Sequence, residues 1–236
     1  MPNHKIYEFY AELEDFKPKI WRRFQASGDI SVAELGYIIM TMYEMKASHL
    51  LAVEHERPYL TPSGRKSKRT ELICRYDIPD GDGWWKVHEG EDATKTKLSD
   101  LNLEAPSWLL VWYDFGDDWR VIVKLEQTLN GDDLPGSELP RVLEGKGFGI
   151  VEDCGGVYGL AELVEAFKTK EGEEYKEFSE WLGVDDFDIK AFDIDDMNFR
   201  VKKIPKIYKK IYENWKSPTK REIELIERVY NHNIIK

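Results

Sequence analysis

Apolar and polar positions change their period several times along the chain. IYEFYAELE (6–14) alternates, with Tyr7, Phe9, Ala11 and Leu13 on one face and Glu8 and Glu12 on the other. A period of two predicts a half-buried strand. After Pro18, IWRRF (20–24) predicts a second strand, and the pair reads as a hairpin. Ser31 followed by Glu34 has the spacing of a capping box. Val32, Leu35, Ile38, Ile39 and Met42 then recur at helical spacing and predict a helix over about 32–43. SHLLAVEH (48–55) returns to strand, RPYLTPSGRKSKRT (57–70) reads as loop, and ELICRY (71–76) as a short strand. Residues 77–107 are polar and irregular, with one helical turn near Leu98–Leu101.

WLLVWYDFGDDWRVIVKLE (108–126) carries the strongest β signal, two apolar runs flanking a Gly/Asp turn. Residues 127–157 are rich in Gly, Pro and Asp and read as loop. LAELVEAFKTK (160–170) and EEYKEFSEWLG (173–183) predict helices, the second stopped by Gly183, and FDIDDMNFRVKKI (192–204) a short one. Ile207, Ile211 and Trp215 form a further helical stripe, and Ser217-Pro218 reads as N-cap and N1 of a last helix. Strands, one helix, more strands and then helices predict an α+β fold: a mostly antiparallel sheet, packed helices and a helical C-terminal extension.

Charge adds an asymmetry. The 236 residues sum to −11, yet residues 200–236 carry 11 Lys or Arg against 4 Glu. An acidic body with a basic tail suggests two readings: the tail docks on its own body, or it meets a polyanion. RKSKR, with Arg65, Lys66, Lys68 and Arg69, and the tail's Lys202, Lys203, Lys209 and Lys210, interleaved with Tyr208, Tyr212 and Trp215, are the nucleic-acid candidates. The same apolar stripe also fits a docking helix whose lysines face water. No apolar run approaches the ~20 residues of a membrane helix. The start, MPNHKIYEFY, has no basic-then-apolar leader pattern, and the chain has two cysteines. A cytoplasmic protein without a disulfide framework, and without a membrane partner, is the expectation.

The candidate chemistry lies in two acidic motifs. In YDFGDDWR (113–120), Asp114, Asp117 and Asp118 offer oxygen ligands that, with Glu152 and Asp153, suit Mg²⁺ or Mn²⁺. Such a cluster would support metal-assisted phosphoester hydrolysis. Alternatively the aspartates make Asx-type turns and Gly116 supplies a positive φ. In EDCGGVYGL (152–160), Cys154 before Gly155 and Gly156 reads either as a thiol near a helix N-terminus or as a buried structural cysteine beside close-packing glycines. Trp84 and Trp85, in a Gly/Asp loop, and Trp119 are candidate aromatic contacts for a ligand or partner. His49 and His55 share a strand face by parity but stand roughly 20 Å apart along it, too far to chelate one ion. No complete catalytic constellation is visible. A binding or interaction domain, for a protein or small ligand, is therefore the expected function class.

IWRRF (20–24), SHLL (48–51), YDFGDDW (113–119), LPRVLEG (139–145), EDCGGVYGL (152–160) and FDIDDMNF (192–199) occur in an order that resembles the plasmid pRiA4b ORF-3-like proteins. The resemblance covers roughly 4–204, which makes 1–204 the family-like domain and 205–236 an addition. It implies an α+β, roll-like fold, no established activity, and an association with plasmids and mobile elements. No recombinase serine or tyrosine motif accompanies it, so a resolvase role does not carry over. Histidines common in the family after DFGDDW and beyond SHL are absent, since Arg120-Val121-Ile122 and Leu51-Ala52-Val53 stand there. Val142 stands where a cysteine is common, and Ile150-Val151 where two prolines are common.

Overall fold

The computed structural model describes residues 5–60, 66–74, 91–131 and 134–228. Among these, seven strands form one sheet in the order β4-β3-β5-β6-β1-β2-β7, every neighbouring pair antiparallel. The strands are β1 (Lys5–Leu13), β2 (Trp21–Ser27), β3 (Leu51–Leu60), β4 (Lys66–Cys74), β5 (Trp108–Tyr113), β6 (Trp119–Asn130) and β7 (Arg141–Lys146). Six α-helices accompany them: α1 (Val32–Met42), α2 (Gly156–Thr169), α3 (Gly172–Leu182), α4 (Ile194–Val201), α5 (Ile204–Asn214) and α6 (Lys220–Ile226). The α+β class and the antiparallel sheet match the sequence reading.

Alternation decides β1. Tyr7, Phe9, Ala11 and Leu13 are all buried, and Phe9 stacks on Phe24 of β2. Helix α1 starts at a complete capping box, with Ser31 Oγ accepting from Glu34 N and the Glu34 carboxylate accepting from Ser31 N. Only Glu34 of its 11 residues escapes full burial. A helix apolar all round is a core helix, and α1 contacts β3 and β5 as well as α4 and α5.

The tail folds onto the body. Tyr208 and Tyr212 of α5 are buried, Tyr212 stacks on Tyr37 of α1, and Lys209 pairs with Glu34. Lys210 pairs with Glu222 of α6, and Lys203 lies over the Phe199 ring. Glu44 then joins Arg200 and Arg228, both almost wholly buried, and Asp196 lies 3.3 Å from Arg228. This knot ties the end of α6 to the turn after α1.

Several boundaries differ from the sequence reading. The expected loop 57–70 contains the end of β3 and the start of β4, and the expected loop 127–157 contains the end of β6 and all of β7. Strand β3 begins at Leu51, so His49 lies before it, and the strand-parity argument for His49 and His55 does not apply. The N-cap of α6 is Thr219, two residues later than expected, because Thr219 and Glu222 close the capping box.

One buried cation organises the far side of the sheet. Arg22, fully buried, donates to the carbonyls of Trp21, Lys146, Gly147 and Phe148 at 2.7–2.8 Å, and its guanidinium stacks over Phe192. Burial lowers its pKa to about 10, which leaves it charged at neutral pH. On the outer edge of the sheet, the Asn198 amide of α4 accepts from Val142 N and donates to Val142 O, occupying the backbone groups of that one β7 residue.

Candidate functional site

Three separate segments meet at one end of the sheet: the loop before β3, the β5–β6 turn and the loop before α2. The turn 114–118 is built by its aspartates. Asp114 has φ 52° and Asp118 φ 56°, so the left-handed positions fall on aspartates and not on Gly116. Asp114 Oδ1 accepts from Gly116 N at 3.0 Å, an Asx turn, and Asp118 Oδ1 accepts from Arg120 Nε at 2.9 Å. Asp117 Oδ2 accepts from Gly155 N at 3.2 Å and so joins the turn to the loop before α2. Gly156, at φ 71°, lies against the same turn; a Cβ there would sit 2.3 Å from the Asp117 carbonyl oxygen. Gly156 thus serves close packing, whereas Gly155, with φ 89° and no close neighbour, serves the left-handed backbone of the α2 N-cap.

Cys154 is a free, half-buried thiol whose pKa is pushed up to about 12 by burial and by the Asp117 carboxylate. That direction is opposite to activation at a helix N-terminus, so the thiolate reading of Cys154 is replaced by the structural one. Trp119 is fully buried and presents no surface to a ligand. Trp84, Trp85 and Arg65 lie outside the described residues; Lys66, Lys68 and Arg69 fall on β4. Of the tail lysines, Lys202 is exposed, Lys203 covers Phe199, and Lys209 and Lys210 are paired with carboxylates.

The five proposed carboxylates do not form one cluster. Glu152 and Asp153 converge, and the third member of their group is His49, with ligand atoms of all three within 4.8 Å of one another. His49 Nε2 lies 3.2 Å from Glu152 Oε2 and 3.3 Å from Asp153 Oδ1, and Nδ1 lies 3.5 Å from Asp114 Oδ2. Neither flanking oxygen lies along the ring N–H direction, so Nε2 is buried without a hydrogen bond. Glu152, itself buried, is held by three donors. Its Oε1 accepts from Lys46 N at 2.6 Å and Tyr113 Oη at 2.8 Å, and its Oε2 from Ser48 Oγ at 3.1 Å. Burial and the adjacent Glu152 carboxylate raise the Tyr113 pKa, so its hydroxyl stays a proton donor. Helix α5 fixes the loop that carries His49: Tyr208 Oη donates to the Met45 carbonyl and Tyr212 Oη to the His49 carbonyl.

His49, Asp114 and Ser48 line a cleft of about 480 Å³ walled by Phe115, Tyr212 and Trp215, whereas Glu152 and Asp153 line a second cavity, of about 380 Å³, with Lys46, Ser48, Phe148 and Trp181. An apolar wall over a few convergent polar groups is the usual construction of a small-ligand site. Sequence reasoning missed His49 as a member of this site, and missed that α5 shapes it. The available signal was the recurrence of SHLL, DFGDDW and EDCGG as one ordered set.

Comparison with known proteins sharpens the picture without supplying an activity. The sequence matches the description "Plasmid pRiA4b ORF-3-like protein" over residues 5–196. It is 37% identical over 86 residues to the "Uncharacterized protein y4hQ" of Sinorhizobium fredii (strain NBRC 101917 / NGR234), 36% of this chain and 43% of that relative. The chain thus spans less than half the length of that curated relative. The crystal structure of the protein of unknown function MM3350 from Methanosarcina mazei Go1 is 31% identical, with a TM-score of 0.65 over 82% of this chain and 98% of the other. No helix among the described residues is long and apolar enough to cross a membrane. The match spans most of the chain and takes in all three segments that meet around His49, and the chain belongs to the plasmid pRiA4b ORF-3-like family.

Proposed function

We propose that the protein is a non-catalytic binding domain whose site is the side-chain group His49, Asp114, Glu152 and Asp153, set between two cavities, and that this site takes a small cation. The observation that supports it is the imidazole enclosed by three carboxylates, with Nε2 buried between two of them. Carboxylates gathered in a partly buried floor repel one another, and a bound positive charge relieves that repulsion.

The phosphoester hydrolase reading loses its premise, because Asp118 faces Arg120 and Asp117 holds Gly155. The nucleic-acid reading is weakened by the pairing of Lys209 and Lys210 with carboxylates of the same chain. Association with mobile elements, as the family's description suggests, has no counterpart in the cleft's chemistry.

Native mass spectrometry of protein purified gently at low salt, without chelator, tests the proposal. The expected spectrum carries a cationic adduct that Asp153→Asn loses. A clean apo mass that stays clean after addition of Zn²⁺ and of tetramethylammonium overturns it.

A further inference from the structure

The cation class follows from the ligand set, and this step rests on the His49, Glu152 and Asp153 group being the binding site. We propose that His49 Nε2, Glu152 Oε2 and Asp153 Oδ1 coordinate one divalent first-row transition metal, Zn²⁺ or Mn²⁺ in preference to Mg²⁺ or Ca²⁺.

Three features carry the assignment. The first is spacing. Ligands at about 2.0–2.2 Å from one ion, separated by roughly 90–110°, stand about 2.8–3.6 Å apart. The Nε2 to oxygen distances here are 3.2 and 3.3 Å.

The second is direction. Nε2 has no hydrogen bond although oxygens lie 3.2 and 3.3 Å away, so a proton on it would be aimed well at neither. A metal on the same axis has the carboxylates beside it as neighbouring ligands. The spacing is thus poor for an imidazolium ion pair and good for a coordination sphere.

The third is support around the ligands. Asp114 Oδ2 lies 3.5 Å from Nδ1. It favours the tautomer that keeps the proton on Nδ1 and frees the Nε2 lone pair, as a carboxylate behind a metal-bound histidine does. Glu152 is aimed by Lys46 N, Ser48 Oγ and Tyr113 Oη, and its Oε2 retains electron-pair capacity toward the site.

An imidazole nitrogen with two carboxylate oxygens suits Zn²⁺, Mn²⁺ or Fe²⁺, whereas Mg²⁺ and Ca²⁺ take oxygen ligands. Two carboxylates neutralise a divalent ion. The Asp153 side chain is 70% exposed, so the group is open to solvent on that side.

The test uses the full chain, stripped with chelator and titrated with Co²⁺ as a coloured stand-in for Zn²⁺, read by visible absorption and calorimetry. One Co²⁺ per chain is expected, with d–d bands displaced by Zn²⁺. Asp114→Asn keeps the Asx turn and a residue tolerant of positive φ, so it retains the apo melting temperature while weakening Co²⁺ about 10–100-fold. Asp153→Asn, at an exposed side chain, and His49→Gln weaken it at least as much.

Co²⁺ binding unchanged in Asp153→Asn and His49→Gln overturns the metal assignment. So does stripped protein that binds tetramethylammonium but no Co²⁺, an outcome that leaves the cation-binding reading standing. Failure to bind either ion removes both readings.

Discussion

Replacing Arg22 with methionine should cost the protein about 3–5 kcal/mol of stability. The side chain is fully buried, and among the described residues no carboxylate accepts from it; its charge is met by four backbone carbonyls and the Phe192 and Tyr43 rings. Met fills a similar volume but donates nothing. Each carbonyl left buried without a donor costs ~1–3 kcal/mol, and four of them set the gross loss. Part of that returns, because a guanidinium no longer has to be desolvated, at several kcal/mol for a buried ion. The net remains large because Lys146, Gly147 and Phe148 leave β7 in a tight loop whose carbonyls converge on this one group. Arg22→Lys keeps the charge, yet an ammonium cannot span four acceptors in a plane, so about half of the loss should remain. Urea unfolding followed by circular dichroism measures both. Arg22→Met within about 1 kcal/mol of the parent at an unchanged m-value would falsify the view that Arg22 holds this loop.

Further outcomes are expected. Gly159→Ala usually helps a helix, but here its Cβ would meet the Cys154 carbonyl oxygen at 1.6 Å; chemical denaturation should show a loss exceeding ~2 kcal/mol, and a gain would refute the packing. With its pKa at about 12, Cys154 should alkylate at pH 8 roughly a thousandfold slower than a free thiol, read by peptide mass mapping; rapid stoichiometric labelling contradicts this. The hydrogen bond from Lys210 and that from Thr219 N hold Glu222 down to about 2. A carboxylate depressed in the fold supports stability above its ordinary pKa and loses that support as pH falls from about 4.5 toward 2. Carboxyl NMR should place its midpoint near 2, and a midpoint in the ordinary range removes the α5–α6 link from the account. Tyr212→Phe deletes one hydrogen bond to the His49 carbonyl, worth about 1 kcal/mol, and should weaken Co²⁺ binding beyond its effect on melting; equal Co²⁺ affinity would separate α5 from the site.

The sequence was legible where burial follows a simple period. β1, β5 and β6 bury alternate residues or continuous apolar runs, and the capping box at Ser31 and Glu34 announces α1. β7 was illegible because Val142 alone points its apolar side chain fully inward, and Gly145 is there for a tertiary reason: a Cβ would meet Phe192 at 2.7 Å and the Arg22 side chain at 2.8 Å. The sequence predicts strands at 48–55 and 71–76, but the adjoining ends of β3 and β4 read as loop because RPYL and KSKRT lack the apolar alternation that marks a strand. In the site, the acidic motifs were visible, but their division of labour was not. Asp114, Asp117 and Asp118 look alike in sequence, yet they end on His49, on Gly155 and on Arg120 respectively. His49 joins Glu152 and Asp153 only through a long-range fold contact, which one-dimensional spacing does not encode.

The Asn198 clip on β7 bears on how copies of the chain can associate. A sheet with two open margins can recruit strands at both and grow without limit, as fibrils do. At β7 the Asn198 amide already occupies the backbone N–H and carbonyl of Val142. A strand adding along β7 has to break this clip before it can pair there.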